Sequence, residues 1–569
     1  MRPRLVEKLK LNGAGLVCMM LKNLGVDVVF GIPGVHNLSL FEMLRRSGIR
    51  IVAPTHEQGA AFMANGYSRS TGRIGVFTTI PGPGLTNALT GIAEAFVDST
   101  PVLGIVTALP EGRNRYQIHE FDQTSLLKPV SKTIVTAKSA SEIPFALESL
   151  WAKATTGEPG PVILQVPAHL YWEKGNHQPA ENETQKTQGT GAQFPIDQVV
   201  SRMATANQIG FLVGAGMSHA SREILELAEW LNAPIATTQT GRGIVDETHP
   251  LSLGFGWLND SVELVNHIID KCDLIVAIGT KFSQTGTQDY RLRIISPLIH
   301  VDVASQVLGQ NYKAEIKLPM DAGGFVKALL ERKDKLRHRE DKGFLELIQN
   351  KRKESMQRCK SNIGTQIFLG DKSLNAFEFF HLIRTLVSKN TIVVTDSGYN
   401  ERLTVQNWIV YEKYTLLNPS DYEAMGFGIP ASIGAAIANP ERQVVAVIGD
   451  GGLAMSGLEI LTIVRQNLNI KILILNNNGF GVIKHIQKEM FGASVAVDYA
   501  PPDYEALAKS AHLPFYSAAG GVETVTTFLK RPGSGMMVVD MLHRETRFMD
   551  QLKRRWKNDV KQGIQGFLK

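Results

Sequence analysis

The chain has 569 residues, 43% hydrophobic and 20% charged, a length that calls for about two to four buried cores rather than one. Its net charge of +6 is too small over that length to argue for nucleic acid, and no run approaches the ~18 apolar residues of a membrane span. The three cysteines, Cys18, Cys272 and Cys359, are too widely spaced for a disulfide framework or a zinc pattern, which makes a reducing, cytoplasmic home the default. Near the N-terminus, Lys22 and Asp27 interrupt the first apolar stretch, so an amphipathic helix is expected there rather than a signal peptide.

Residues 1–175 alternate strand and helix signals. Strands are expected over 26–30, 49–52, 74–79 and 102–107, helices over 58–71 and 86–96, and turns at 31–34 and 81–84. A polar stretch over 174–193 reads as a linker. A second α/β block runs over 195–335, with strands opening at Gly210, Asp273 and Leu298. Its Gly214-Ala215-Gly216 lacks the third glycine of a dinucleotide fingerprint and reads as a structural turn. The charged stretch over 331–360 reads as a solvated helical connector.

The third block, 365–545, carries the strongest signal. Two β-branched runs, 444–448 and 470–475, flank a helix-length segment over 453–469 and predict a βαβ unit with parallel strands. Gly449-Asp450-Gly451-Gly452 follows the first run and Asn476-Asn477-Asn478-Gly479 the second, at the strand ends where open α/β sheets bind ligands. Mg²⁺ takes one or two protein oxygens and completes its shell with water and phosphate, so one carboxylate and one amide oxygen suit it. Glycines at a helix start let a diphosphate approach the backbone N–H groups. An isolated Asp-Gly is more often only a tight turn. Strand 391–395, the motif Asp396-Ser397-Gly398-Tyr399-Asn400 and the small-residue segment 425–438 complete the block. Within 543–569, eight Lys and Arg stand against three acids, a basic tail.

This arrangement resembles the Gly-Asp-Gly…Asn-Asn signature of thiamine-diphosphate enzymes. Phe30–Gly34, His56-Glu57-Gln58-Gly59-Ala60, Gly66-Tyr67-Ser68-Arg69, Gly82–Asn87 and Ala424-Met425-Gly426-Phe427-Gly428-Ile429-Pro430 are similar to segments of the acetolactate-synthase-like superfamily. The resemblance implies three doubly wound parallel-sheet α/β domains: pyrimidine-binding (1–175), middle (195–335) and diphosphate-binding (365–545), with a basic tail over 546–569. It implies thiamine diphosphate and Mg²⁺, with Asp450, Asn477 and the Gly479 carbonyl as metal ligands. It makes Glu57 the acid that bonds the cofactor's aminopyrimidine, a task suited to a buried carboxyl with a raised pKa. Met425 becomes the apolar prop that bends the cofactor, and Asn87 lines the pyrimidine side. Gly398 and Asn400 contact the diphosphate, and Pro33, Gly34, Glu423, Gly451, Gly452, Gly481, Val482 and Ile483 are further cofactor-binding positions. A homodimer is the smallest active unit implied, with a homotetramer common.

The chain departs from acetolactate synthase itself. The family's active-site glutamine falls on His119, its substrate-contacting tryptophan on Ile486, and its FAD-and-substrate loop is replaced around Lys281–Gln284, which weakens the case for FAD. Gly34-Val35-His36 with His119-Glu120…Asp122-Gln123 is instead similar to members that decarboxylate other 2-oxo acids, among them guanidino-oxopentanoate decarboxylase. His36, His119 and Gln123 join Glu57 as candidate catalytic residues, an imidazole being able to move a proton at neutral pH. The expected activity is decarboxylation of a small-molecule 2-oxo acid, followed by protonation or C–C bond formation. Acetolactate-synthase-type acyl transfer and a non-catalytic homologue with a binding role are the alternatives.

Overall fold

The computed structural model describes residues 10–110, 116–176, 195–255, 261–288, 290–362, 364–498 and 500–543. The predicted tail over 546–569 lies outside them, as does nearly all of the predicted linker over 174–193. The strands in chain order are Lys10–Asn12 (β1), Val28–Gly31 (β2), Arg50–Val52 (β3), Gly75–Thr79 (β4), Val102–Ala108 (β5), Thr133–Thr136 (β6), Val162–Pro167 (β7) and Lys174–Asn176 (β8). They continue with Ile209–Val213 (β9), Ile235–Thr237 (β10), Ser252–Phe255 (β11), Leu274–Ile278 (β12), Leu298–Val301 (β13) and Ile316–Leu318 (β14). The last group is Thr365–Leu369 (β15), Lys372–Asn375 (β16), Ile392–Thr395 (β17), Leu416–Leu417 (β18), Val444–Gly449 (β19), Ile470–Asn476 (β20), Phe515–Ser517 (β21) and Gly535–His543 (β22).

Three large sheets result, beside a two-stranded pair of β1 and β8. The first runs β3-β2-β4-β5-β7-β6 and the second β11-β10-β9-β12-β13-β14, with every neighbouring pair parallel. The third runs β16-β15-β22-β20-β19-β17-β18, with β21 beside β22, and is parallel except where β15 joins β16 and β22. Central strands such as β5, β12 and β20 are buried along their whole length, which is why they read as mainly apolar runs rather than alternating ones, Lys471 in β20 being the charged exception. The described residues form two compact units. One comprises residues 1–193 with Pro430–Pro440 and Leu458–Leu468; the other holds the second and third sheets. No described helix is long and apolar enough to cross a membrane.

The expected strands fall within two residues of those observed, and three expectations change. The connector over 331–360 is not one solvated helix. A helix spans only Lys342–Lys360, capped by Asp341, and it buries Phe344, Ile348 and Cys359. Before it, the buried guanidinium of Arg339 donates to the carbonyls of Ala206 (2.6 Å), Met203 (3.0 Å) and Asn207 (3.1 Å), holding that stretch extended. The segment over 453–469 is a helix Asp450–Ser456, a 3-10 turn Gly457–Glu459 and a helix Ile460–Arg465, broken where Gly457 interrupts good helix formers. The first residues of the expected linker form β8, paired antiparallel with β1.

The chain reverses its direction of growth between β2 and β4 in the first of these sheets, between β9 and β12 in the second, and between β17 and β19 in the third. The crevice at such a switch point, beyond the strands' C-terminal ends, is where open α/β sheets take ligands. At the first lie Gly31–His36 and Pro81–Gly84, at the third Asp396–Asn400 and Asp450–Gly452. At the second, Gly214 and Gly216 press on Gly279 so closely that a Cβ on Gly216 would stand 2.9 Å from the Gly279 Cα, as a structural turn requires.

Candidate active site

In the unit that holds the third sheet, β19 delivers Asp450 to the start of a helix and β20 delivers Asn477 just past its end. Asp450 is 4% exposed. Its Oδ2 accepts the N–H of Gly479 (2.9 Å) and Asn477 (3.3 Å), and its Oδ1 that of Gly451 (3.0 Å). Burial pushes this carboxyl above the usual range, and those N–H groups pull it back. The two asparagines divide their labour. Asn476 donates to Asn478 Oδ1 (3.0 Å) and Asp540 Oδ1 (2.8 Å) and accepts from the Tyr504 hydroxyl (2.9 Å), so its amide is spent on structure. Asn477 Oδ1 is buried and has no hydrogen-bond partner among the described residues. A buried carbonyl left unpaired costs about 1–3 kcal/mol, a cost that a cation would remove.

Among the described residues no cluster of three His, Cys, Asp or Glu side chains could hold a metal. A metal here must therefore be content with one carboxylate and neutral oxygens, as Mg²⁺ is. The surroundings fit a diphosphate as well. A Cβ on Gly481 would collide with Asn477 Nδ2, and one on Gly451 would stand 3.1 Å from Met425 Cε and from the Phe480 ring. Gly452 is buried beside Gly451, and Gly479 has φ 155°. Val482 packs on the third sheet's core, whereas Ile483 is 49% exposed.

Gly398 takes a positive φ of 126° and opens the helix Tyr399–Asn407. Asn400 is buried, and its Nδ2 donates to the carbonyls of Asp396 (2.5 Å) and Val447 (3.2 Å). Both N–H groups of its side-chain amide are thus spent on the main chain. What this segment can offer is main-chain N–H groups at the helix start. Glu423, exposed, holds a left-handed φ of 56° two residues before the half-buried Met425.

Two buried acids escaped the sequence reading. Asp396 receives three main-chain N–H bonds. Glu401 accepts from Asn418 Nδ2 (2.8 Å) and Gln239 Nε2 (3.1 Å), and burial, then the charge of Glu423, push its carboxyl well up. The only sequence signal was for Asp396, an acid directly after an apolar strand, as Asp450 is.

In the unit that holds the first sheet, Glu57 opens the helix Glu57–Thr71 and its Oε2 accepts from Asn87 Nδ2 (3.0 Å). The buried carboxyl expected there is only half-buried in the single chain. A residue missed in the sequence fixes the turn before it. Glu459, 2% exposed, takes on Oε1 the Thr55 N–H (2.9 Å), the Thr55 hydroxyl (2.8 Å) and the His56 N–H (3.3 Å). His36 and His119 are brought together, their ring centroids 5.1 Å apart and tilted by 55°. His119 adopts φ 70° against the Gly82 turn, and its Nδ1 is buried without a partner among the described residues. Burial, then the charge of His119, lower His36 below the usual imidazole value. Gln123 is buried and donates from Nε2 to the Thr107 carbonyl (3.1 Å), its Oε1 without a partner among the described residues. Pro33 is exposed, and the Gly34 N–H donates to Asn37 Oδ1 (2.8 Å).

Beside the third sheet's site, the His543 ring lies 3.9 Å from that of Tyr399 and 5.7 Å from that of His485, with Nδ1 bonded to the Thr365 hydroxyl (2.7 Å). Burial first, then His485 and Arg402, pull its pKa down to about 3. A depressed histidine pKa means the fold prefers the neutral ring, so stability is full above pH 6.5 and is lost as pH falls towards 3. Between pH 7 and 5 the loss is about 2 kcal/mol. His543→Asn should remove that part of the acid sensitivity, read as the shift in urea midpoint between the two pH values; an unchanged shift refutes it.

Family models for the thiamine pyrophosphate enzyme match in three places: the N-terminal TPP binding domain at residues 11–126, the central domain at 196–329 and the C-terminal TPP binding domain at 396–540. The chain is 31% identical over 519 residues to a probable acetolactate synthase large subunit of Methanocaldococcus jannaschii, covering 88% of this chain and 86% of that one. It is 27% identical over 525 residues to the acetolactate synthase large subunit of Lactococcus lactis, covering 89% and 88%. To the chloroplastic acetolactate synthase of Arabidopsis thaliana it is 27% identical over 561 residues, covering 94% and 82%. The chain therefore belongs to the thiamine pyrophosphate-dependent enzymes of the acetolactate synthase-like superfamily.

Proposed function

We propose that this enzyme uses thiamine diphosphate and Mg²⁺ to decarboxylate a 2-oxo acid and then delivers a proton to the resulting carbon. The observation that carries the cofactor reading is the buried Asn477 Oδ1, without a partner among the described residues, just past the end of the strand that neighbours the one leading to Asp450. Asp450, Asn477 and the Gly479 carbonyl would hold the metal; Gly451, Gly452 and the N–H groups opening the helix at Tyr399 would hold the diphosphate. When bound, the cofactor supplies an electron sink for the pair released as CO₂ departs. The chain's own residues do the rest. Glu57, oriented by Asn87 and by the turn that Glu459 pins, holds or shares a proton with the cofactor's pyrimidine ring. His36 and His119 form an adjacent imidazole pair able to take up and hand over a proton.

A second copy of the chain is proposed to cover the apolar side chains left exposed near these residues. Val35 is 83% exposed, Leu38 52% and Ile118 77% in the first unit, and Met455 53% and Ile483 49% in the second. Carboligation is the second reading, favoured by the acetolactate synthase relatives. A CO₂-release screen over 2-oxo acids with both cofactors separates them: aldehyde supports protonation, acetolactate from pyruvate supports carboligation, and no CO₂ from any acid sinks both. His119→Ala is expected to lower aldehyde formation by about 100-fold at saturating cofactor. Unchanged turnover would remove His119 from the chemistry.

A further inference from the structure

Asp396 follows β17 directly and is 0% exposed, yet no lysine or arginine pairs with it among the described residues. Its Oδ1 accepts the N–H of Ser397 (2.9 Å) and of Gly426 (2.9 Å), and its Oδ2 accepts the N–H of Gly428 (2.8 Å). Its main-chain carbonyl accepts from Asn400 Nδ2 (2.5 Å). A Cβ on Gly452 would stand 2.7 Å from its carboxyl carbon, so the carboxylate lies directly against that glycine.

One side chain thus touches three places: the turn at Ser397, the stretch around Met425 through Gly426 and Gly428, and the helix start at Gly452. The bond to Gly426 has a specific consequence. Gly426 sits at φ 84°, and fixing its N–H fixes the Met425–Gly426 peptide plane, hence the ψ angle of Met425. Met425 Cε in turn comes within 3.1 Å of where a Cβ on Gly451 would be. A buried carboxylate without a cation beside it is costly, so a fold that holds one on main-chain N–H groups alone has a use for its geometry.

We propose that Asp396 is a positioning residue: its carboxylate sets Met425 against the Gly451–Gly452 turn, so that the prop and the diphosphate cradle stand in register before cofactor binds. This rests on the cofactor reading given above. The test is Asp396→Asn, which keeps the shape but turns an NH₂ group towards N–H donors, with Asp396→Ser as a second variant that lets water replace the carboxylate. Hydrogen exchange of the peptide over 420–430 in the cofactor-free protein should speed up at least tenfold in both. Thiamine diphosphate affinity, read with Mg²⁺ by quenching of tryptophan fluorescence, should weaken about tenfold, while the apoprotein melting temperature stays within a few degrees of wild type.

Unchanged exchange over 420–430 overturns the proposal even if affinity falls. Loss of folding in both variants also overturns it, because the carboxylate would then hold the fold rather than the loop. Failure of the wild type to bind thiamine diphosphate would instead sink the cofactor reading, and the exchange measurement still judges the clamp.

Discussion

Glu57→Gln is expected to lower turnover by on the order of 10²–10⁴ at saturating cofactor, the usual range for removing a positioned acid–base group. The substitution is close to isosteric. Its amide oxygen can still accept from Asn87 Nδ2, which now lies 3.0 Å from Glu57 Oε2, so the helix start and its partner survive. What vanishes is the ability to hold or share a proton. Stability should stay within about 0.5 kcal/mol of wild type, because the group is only half-buried. Asn87→Ala should fall in between, by about tenfold, since it frees the carboxylate to rotate without removing it. A Glu57→Gln enzyme within threefold of wild type would eliminate the assignment.

The second large effect separates two adjacent asparagines. Asp450→Asn and Asn477→Ala should each weaken Mg²⁺-dependent cofactor binding by on the order of 100-fold or more, since changes even to a metal's outer partners cost 10–100-fold. Asn476→Ala should behave differently. Its amide bonds Asn478, Asp540 and the Tyr504 hydroxyl, so its loss should cost about 1–3 kcal/mol of stability. The cofactor affinity of whatever remains folded should change little. Isothermal titration with cofactor and Mg²⁺, alongside denaturant melts, reads both quantities. Should Asn477→Ala lose stability and keep affinity, the roles are reversed and the metal reading fails.

These contrasts mark how far the sequence alone could reach. The central strands were legible because they are buried on both faces, which leaves mainly apolar runs such as 444–449 and 470–476. Asp450 and Asn477 were legible because each follows such a run at a switch point. Which of three consecutive asparagines faces a ligand was a matter of resemblance, and the physical reason needed Tyr504 and Asp540, residues with no local signature. Glu459 was invisible for a similar reason. It pins Thr55 and His56 across about 400 positions of sequence, and nothing in its own neighbourhood announces that. The helix expected over 453–469 failed at Gly457, and the solvated connector over 331–360 failed because Arg339 finds three carbonyls far from it in sequence. In both places tertiary contacts overrode propensity. The half-exposure of Glu57 was unreadable too, since burial depends on what packs over a strand end and not on the strand itself.

The first compact unit is not contiguous: residues 1–193 close only with Pro430–Pro440 and Leu458–Leu468. Gly66 and Gly434 each leave no room for a Cβ, Gly66 against Ala431 and Gly434 against Met63, and Asn439 Nδ2 donates to the Ser70 hydroxyl (3.2 Å). On a ribosome, then, the helix Glu57–Thr71 emerges long before the residues that cover it. At 5–20 residues per second the wait is roughly 20–80 s, during which a groove lined by alanine and glycine stands open to water. A nascent chain stalled between residues 200 and 430 should therefore be a chaperone client, and fragment 1–193 made alone should aggregate rather than fold.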